Sequence, residues 1–283
     1  MKQAIQNMLV LSEDFARGFA LLIKQPKLAR NLEDRDSQLK ELKGNLAKEH
    51  REVQRLKQRE RRPSIGEVSF GDLRRLRPIS RKFGLNRGQP IDRYYIEAFL
   101  ARQADEIRGH VLEIKDASYT RRYGGGRVSV SDVLDVAEDN RQATIVADLT
   151  RADHVPSDTF DCIIFTQTLH FIYDVRSAIR TLHRILKPGG VLLATFPGIS
   201  QTSCAKLDER YQWTFARLSA RELFEEAFPA SNVRVEAHGN VLTAIAFLHG
   251  LAVEELRQEE LDYHDLDYEV LITLKAVKPE ATP

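Results

Sequence analysis

The chain has 283 residues, 42% of them hydrophobic and 29% charged, with a formal net charge of +1. That length allows one large domain with appendages, and that balance provides no global attraction to nucleic acid or to an anionic membrane. Two cysteines, Cys162 and Cys204, are too few for a disulfide framework. No apolar run reaches the roughly 20 residues of a membrane span, and the N-terminal residues lack a secretory apolar core with a small-residue cleavage site. A cytoplasmic protein of a reducing compartment is the expectation, with Cys162 a small core residue rather than a reactive thiol.

Residues 1–62 are helical in pattern. Leu32, Leu39, Leu46 and Val53 recur every seven residues, and a second row of Leu28, Leu42 and Leu56 is interrupted by Arg35 and Glu49. This is a coiled-coil stripe with polar breaks. It predicts that residues 28–60 pair with a second copy or with a partner protein; a single helix lying on its own domain is the alternative. Ahead of it, Met8–Leu11 with Phe15, Phe19 and Leu22 is apolar enough to need a covering surface.

Residues 63–108 form a basic linker and a pre-domain helix. Between Arg51 and Arg87 there are 12 Lys or Arg against 4 acidic residues, a local +8. Neither a nucleic-acid motif nor interleaved aromatics accompany it, which argues against nucleic acid. An anionic substrate or an acidic partner surface accounts for the charge as well. Pro63 and Gly66 break the helix. Asp92 is placed to N-cap a helix running to about Ile107.

From residue 109 to 283 the pattern changes to short runs rich in Val and Ile, several with an acidic residue near one end. They are His110–Ile114, Arg127–Asp132, Ala143–Asp148, Asp161–Phe165, Val191–Phe196, Val233–Ala237 and Glu269–Val277. Continuous apolar runs are the signature of parallel strands buried on both faces. Between the fourth and fifth runs, Ile179, Leu182, Ile185 and Leu186 share one helical face. Lys187-Pro-Gly-Gly190 then ends that helix: Pro188 cannot continue it and the glycines permit a left-handed turn. The connection Val133–Gln142 is too short for a full helical crossover and reads as a loop. A helix at Leu218–Phe228 and another at Val241–Leu256 complete the series. The expected fold is α/β: a Rossmann-like, doubly wound, mostly parallel seven-stranded sheet preceded by the N-terminal helical segment.

The order of these elements, with Phe160–His170 and Ala178–Gly190 as its strongest part, resembles the class I S-adenosylmethionine-dependent methyltransferases of the small-molecule branch. Pro78–Leu100, Thr166–Leu169 and Pro197–Ser200 are further similar to bacterial methyltransferase-domain proteins associated with glycosyltransferases. The resemblance implies S-adenosyl-L-methionine as cofactor. It places Glu113 after the first strand, Asp132 on the ribose hydroxyls at the end of the second, and Asp148 on the adenine amine with Leu149 beside the ring. Thr166 and Gln167 follow the fourth strand, and Tyr95 lies on a helix near the cofactor mouth, unless Tyr95 and Phe99, four residues apart, are both core residues. The family's glycine loop is altered here. Lys115, Ala117 and Tyr119 stand at its small or glycine positions, while three glycines come later, at Gly124–Gly126.

Methyl transfer depends mainly on orientation and proximity, with a base needed for a poor nucleophile such as a hydroxyl. His170 is the candidate base, one position away from the family's usual histidine, with Tyr173 and Asp174 as secondary candidates. No His, Asp and Glu grouping has metal-ligand spacing; His238, His249 and His264 are widely separated. Tyr211 and Trp213, in an insertion after Pro197, are suited either to stack on a sugar or another ring or to pack as an aromatic lid. The resemblance thus implies O-methylation of a saccharide or small polar metabolite. The altered loop keeps a second reading open: a catalytically inactive, methyltransferase-like scaffold that assembles a biosynthetic complex through its coiled coil.

Overall fold

The computed structural model describes residues 26–60, 62–202 and 211–280. The apolar segment around Met8–Leu22, the residue Cys204 and the side chains of Leu28, Leu32 and Leu56 lie outside this description. The chain divides into two units, residues 1–71 and 72–283.

In the first unit, α1 (Pro26–Glu60) is a 35-residue helix, about 52 Å long at 1.5 Å per residue. Leu39, Leu42, Leu46 and Val53 are 45–67% exposed along it.

The second unit is built on a seven-stranded sheet in the order β3-β2-β1-β4-β5-β7-β6. Its strands are β1 (Gly109–Ile114), β2 (Val128–Asp135), β3 (Ile145–Val146), β4 (Phe160–Thr166), β5 (Leu186–Pro197), β6 (Val233–His238) and β7 (Leu271–Val277). The first five are parallel; β7 inserts antiparallel between β5 and β6. Alternation along the central strands supplies a core on each face. Leu112, Ile163, Phe165, Leu192 and Ala194 face one way, where α3 (Val175–Ile185) and α4 (Arg217–Glu225) pack through Ile179, Leu182 and Phe224. Val111, Cys162, Ile164, Val191 and Leu193 face the other way. There α2 (Ile91–Arg102), α5 (Val241–Leu248) and α6 (Gln258–Asp262) contribute Tyr95, Phe99, Phe247 and Leu261.

The strongest sequence segments fold as their patterns require. Ile179, Leu182 and Ile185 are buried on α3, whereas Leu186, expected on the same helical face, is buried as the first residue of β5. Asp174 caps α3 by accepting the Ser177 N–H at 3.0 Å, so this secondary catalytic candidate is engaged in a structural task. Gly189 takes φ +74°, and the Lys187–Gly190 stretch is already part of the extended run of β5.

Several boundaries differ from expectation. The second strand does not end at Asp132 but runs three residues further, to Asp135. Ser129, Val130 and Ser131 are exposed, so the polar half of the strand concealed its continuation. The third strand shrinks to two residues, and the connection before it is a series of turns without a helix. The pre-domain helix starts at Ile91, with Pro90 before it. Asp92 sits inside its first turn, accepting the Arg93 N–H at 2.8 Å rather than capping the helix. The helix expected over Val241–Leu256 stops at Leu248, and Gly250 turns the chain at φ +67°.

Candidate active site

In an open parallel sheet the ligand crevice lies beyond the carboxyl ends of the strands. Here β2, β1 and β4 are neighbours, so the residues following Ile114, Asp135 and Thr166 share that edge. The altered loop begins at Lys115, which takes φ +75°. A residue with a Cβ is disfavoured there by about 1–2 kcal/mol. The chain therefore turns as it would through glycine, although the residue is not glycine. A short wide-helical turn, Thr120–Gly124, follows. Glu113, buried in β1, ties down its start: the carboxylate accepts the N–H of Tyr119 at 3.1 Å and of Thr120 at 2.7 Å. Loss of solvent pushes the Glu113 carboxyl up from its usual value, and the two N–H donors oppose that rise. Gly124 is needed for packing, since a Cβ there would meet Val128 and Ile107, and Gly125 takes φ +54° to lead the chain into β2.

The carboxylate at the end of β2 is Asp135. Asn140 bridges it to the end of β1: its Nδ2 donates to Asp135 Oδ2 at 2.7 Å and to the Lys115 carbonyl at 2.8 Å. Asp132, expected in this place, lies within the strand. His110 Nε2 contacts its Oδ2 at 2.6 Å, and Thr144 donates to its Oδ1 at 2.7 Å. The sequence Asp132-Val-Leu-Asp135 offered two carboxylates three residues apart. Only the apolar Val133-Leu134 between them signalled that the buried part of the strand was still to come.

Asp148 follows β3 and accepts the Thr150 N–H at 2.9 Å and hydroxyl at 2.8 Å; the backbone bond is the main reason its carboxyl is held below the usual range. Leu149 is 4% exposed and packs in the core with Leu134 and Phe165, so its side chain is an apolar wall rather than an open flank. Thr166 closes β4. Gln167 has φ +48°, and its amide nitrogen is buried without a hydrogen-bond partner among the described residues. An unsatisfied donor beside strand ends that carry carboxylates is the kind of group a bound ligand satisfies.

Tyr95 is a core residue. Its hydroxyl donates to the Leu261 carbonyl at 3.0 Å, its ring stacks on His238 at 5.7 Å, and burial pushes the phenol up to about 12. It is committed within the fold and does not open onto the strand ends. Tyr119 is closer to the loop; Arg93, Glu97 and Asp92 all influence its phenol, while desolvation raises it to about 12. Loss of solvent also raises the Asp92 carboxyl to about 6.

His170 departs most from expectation. It is 1% exposed, in a single tight turn of Leu169–Phe171. Desolvation lowers its imidazole to about 3, and Nδ1 has no partner among the described residues. Phe171 and Tyr211 cover the ring at centroid distances of 4.1 and 4.0 Å. A solvated imidazole titrating near neutrality is therefore absent at this position, because aromatic cover has removed the water. The insertion holds itself there through backbone: the N–H groups of Gln212 and Trp213 donate to the His170 carbonyl at 2.8 and 3.3 Å. Trp213 donates to the Ile172 and Tyr173 carbonyls and stacks on Tyr173, which is 76% exposed. An aromatic wall thus stands beyond β4, with residues 203–210 of the insertion outside the described part.

Residues far apart in sequence also meet elsewhere. His238 and His264 rings lie 5.2 Å apart, and His238 bonds Thr273 at 2.9 Å. Sequence distance had separated them. Among the described residues no group of His, Cys, Asp and Glu could hold a metal ion, and no helix is long and apolar enough to cross a membrane.

The strand order, with an antiparallel β7 between β5 and β6, is that of the class I S-adenosylmethionine-dependent methyltransferases, and this is the fold of the second unit. Residues 119–194 match the methyltransferase-domain family, so the chain carries a methyltransferase domain. That match begins at Tyr119, within the altered loop.

The solved structures it resembles include three methyltransferases. Phosphoethanolamine N-methyltransferase 2 of Haemonchus contortus, in complex with S-adenosyl-L-methionine, is 16% identical with a TM-score of 0.46, over 66% of this chain and 53% of that one. A methyltransferase from Archaeoglobus fulgidus is 14% identical with a TM-score of 0.44, over 66% and 94%. One from Mesorhizobium loti is 17% identical with a TM-score of 0.43, over 66% and 98%. Among curated proteins, none matches this sequence.

Proposed function

We propose that this protein is an S-adenosylmethionine-dependent methyltransferase whose acceptor is a small, ring-bearing polar molecule, a saccharide being the best fit. The observation that supports it most is the backbone at Lys115. A non-glycine residue held at φ +75° at a strand end is strained, and strain of this kind persists where the surrounding structure serves a site. The turn that brings backbone close to a cofactor is kept although its glycine is gone.

In this reading Asp135 grips the ribose hydroxyls and Asp148 the adenine edge. Gln167 donates to the methionine end, and Glu113 holds the Tyr119–Thr120 N–H groups in place. S-adenosylmethionine, when bound, supplies an electrophilic methyl group on a sulfonium. The protein's part is to orient the acceptor and exclude water. His170 is neutral at physiological pH and backs the acceptor wall from beneath Tyr211 and Phe171. Exposed Tyr173 and Trp213 offer ring faces to a sugar. A cytoplasmic location accords with this substrate class.

The test is incubation of the full chain with methyl-labelled S-adenosylmethionine and a panel of nucleotide sugars and glycosides. Label transferred to a sugar hydroxyl supports the reading; transfer only to phosphoethanolamine-like amines rejects the saccharide assignment. One observation favours a non-catalytic scaffold: Lys115, Ala117 and Tyr119 fill the loop's small positions. Failure to bind S-adenosylhomocysteine is the outcome that selects it.

A further inference from the structure

The α1 helix exposes Leu39, Leu42, Leu46 and Val53 on one stripe, while Gly44, on the opposite face, has open space around its Cβ position. A mid-helix glycine costs about 1 kcal/mol, and most helical stability in proteins comes from packing of an apolar face. The stripe therefore calls for a cover. Its two polar interruptions identify one. Arg35 and Glu49, both exposed, occupy the same heptad row as Leu42, each seven residues from it and opposite in charge.

We propose that the cover is the α1 helix of a second copy of this chain, packed antiparallel about Leu39–Leu42. In a parallel, in-register pair the same row is matched with itself, so Arg35 opposes Arg35 and Glu49 opposes Glu49, both repulsive. In an antiparallel pair the rows run in reverse. Leu39 of one copy faces Leu42 of the other, and Arg35 comes within one layer of Glu49 of the second copy. Twofold symmetry repeats that ion pair at both ends of the leucine patch. Charges flanking the seam set orientation as well as partner choice. The breaks in the stripe thus fix its direction, and the two methyltransferase domains are joined through helices of opposite polarity.

The experiment is sedimentation equilibrium on the full-length protein and three variants: Arg35→Glu, Glu49→Arg and the double variant. Antiparallel pairing predicts a wild-type dimer, a dimer dissociation constant about tenfold weaker in each single variant, and recovery to near the wild-type value in the double variant. All four proteins keep their helical circular dichroism, because both positions are exposed. A parallel dimer gives four equal constants, since each chain opposes its own charge in every case, and that result overturns the proposal. So does a wild-type protein that stays monomeric, or a double variant no better than the singles. As an independent check, Leu42→Lys should abolish the dimer.

Discussion

Tyr211 lies face-near to His170, with ring centroids 4.0 Å apart, and the chain next to Tyr211 donates two backbone N–H groups to the His170 carbonyl. Together with Phe171, that ring converts a histidine that resembles a general base into a buried, neutral group. Desolvation lowers the imidazole to about 3, so its charged form is the disfavoured one. The folded state then binds fewer protons than the unfolded chain. Stability from this group is present above the ordinary value of about 6.5 and is lost as pH falls from there toward 3. Between pH 7.5 and 5 the loss is about 2 kcal/mol. Urea unfolding of wild type and His170→Asn at both pH values checks it: the variant should be less stable at pH 7.5 but show a smaller drop on acidification. Equal drops would place the imidazole in water and restore the base assignment.

A second prediction concerns the two carboxylates of β2. Asp135→Ala should weaken S-adenosylhomocysteine binding by about 1–3 kcal/mol, the scale of hydrogen bonds to a charged group. Asp132→Ala should leave that affinity unchanged, because Asp132 lies inside β2, three residues before the strand end, where His110 and Thr144 engage it. Titration calorimetry of the two variants distinguishes them, and the reverse order of effects would return the ribose role to Asp132.

Lys115 carries a third. Lys115→Gly relieves a left-handed non-glycine residue but adds chain entropy to the unfolded state. The net expectation is a gain of about 0.5–1 kcal/mol in unfolding free energy. Lys115→Ala keeps the Cβ and should give no such gain. If alanine stabilises as much as glycine, the strain at this turn is absent.

Glu113 carries a fourth. The carboxylate receives two backbone donors, so Glu113→Gln replaces one acceptor oxygen by an NH2 group that faces an N–H. The expected cost is about 1–3 kcal/mol in unfolding free energy. An unchanged denaturation midpoint would mean the turn after β1 is held by other contacts.

Much of the fold is legible in the sequence where a single pattern governs. Ile179, Leu182 and Ile185 repeat at helical spacing and all face the core, although the helix ends at Ile185, before Pro188-Gly189, and Leu186 already opens β5. The strand runs around Val111, Ile163 and Leu192 are unbroken because both faces of the sheet are covered there. The pattern weakens where cover is lost. β2 has an exposed first half, so its apolar run does not announce its end, and the strand-end carboxylate reads as Asp132 where the strand runs on to Asp135. The site is less legible than the fold: the four-residue spacing of Tyr95 and Phe99 allows a core as well as a site reading, and Tyr95 and His170 owe their character to residues far away in sequence. Tyr95 is fixed by Leu261 and His238, and His170 by Tyr211. Sequence spacing carries no record of such tertiary contacts.

The altered loop after β1 should still form a cofactor site. Titration calorimetry of S-adenosylhomocysteine into the full-length wild-type protein tests it most directly. One site per chain is expected, with a binding free energy on the order of −7 to −8 kcal/mol, abolished or strongly weakened in Asp135→Ala. No heat and no thermal stabilisation at millimolar ligand, in a protein that is folded by circular dichroism, would contradict it and leave the methyltransferase fold as a scaffold.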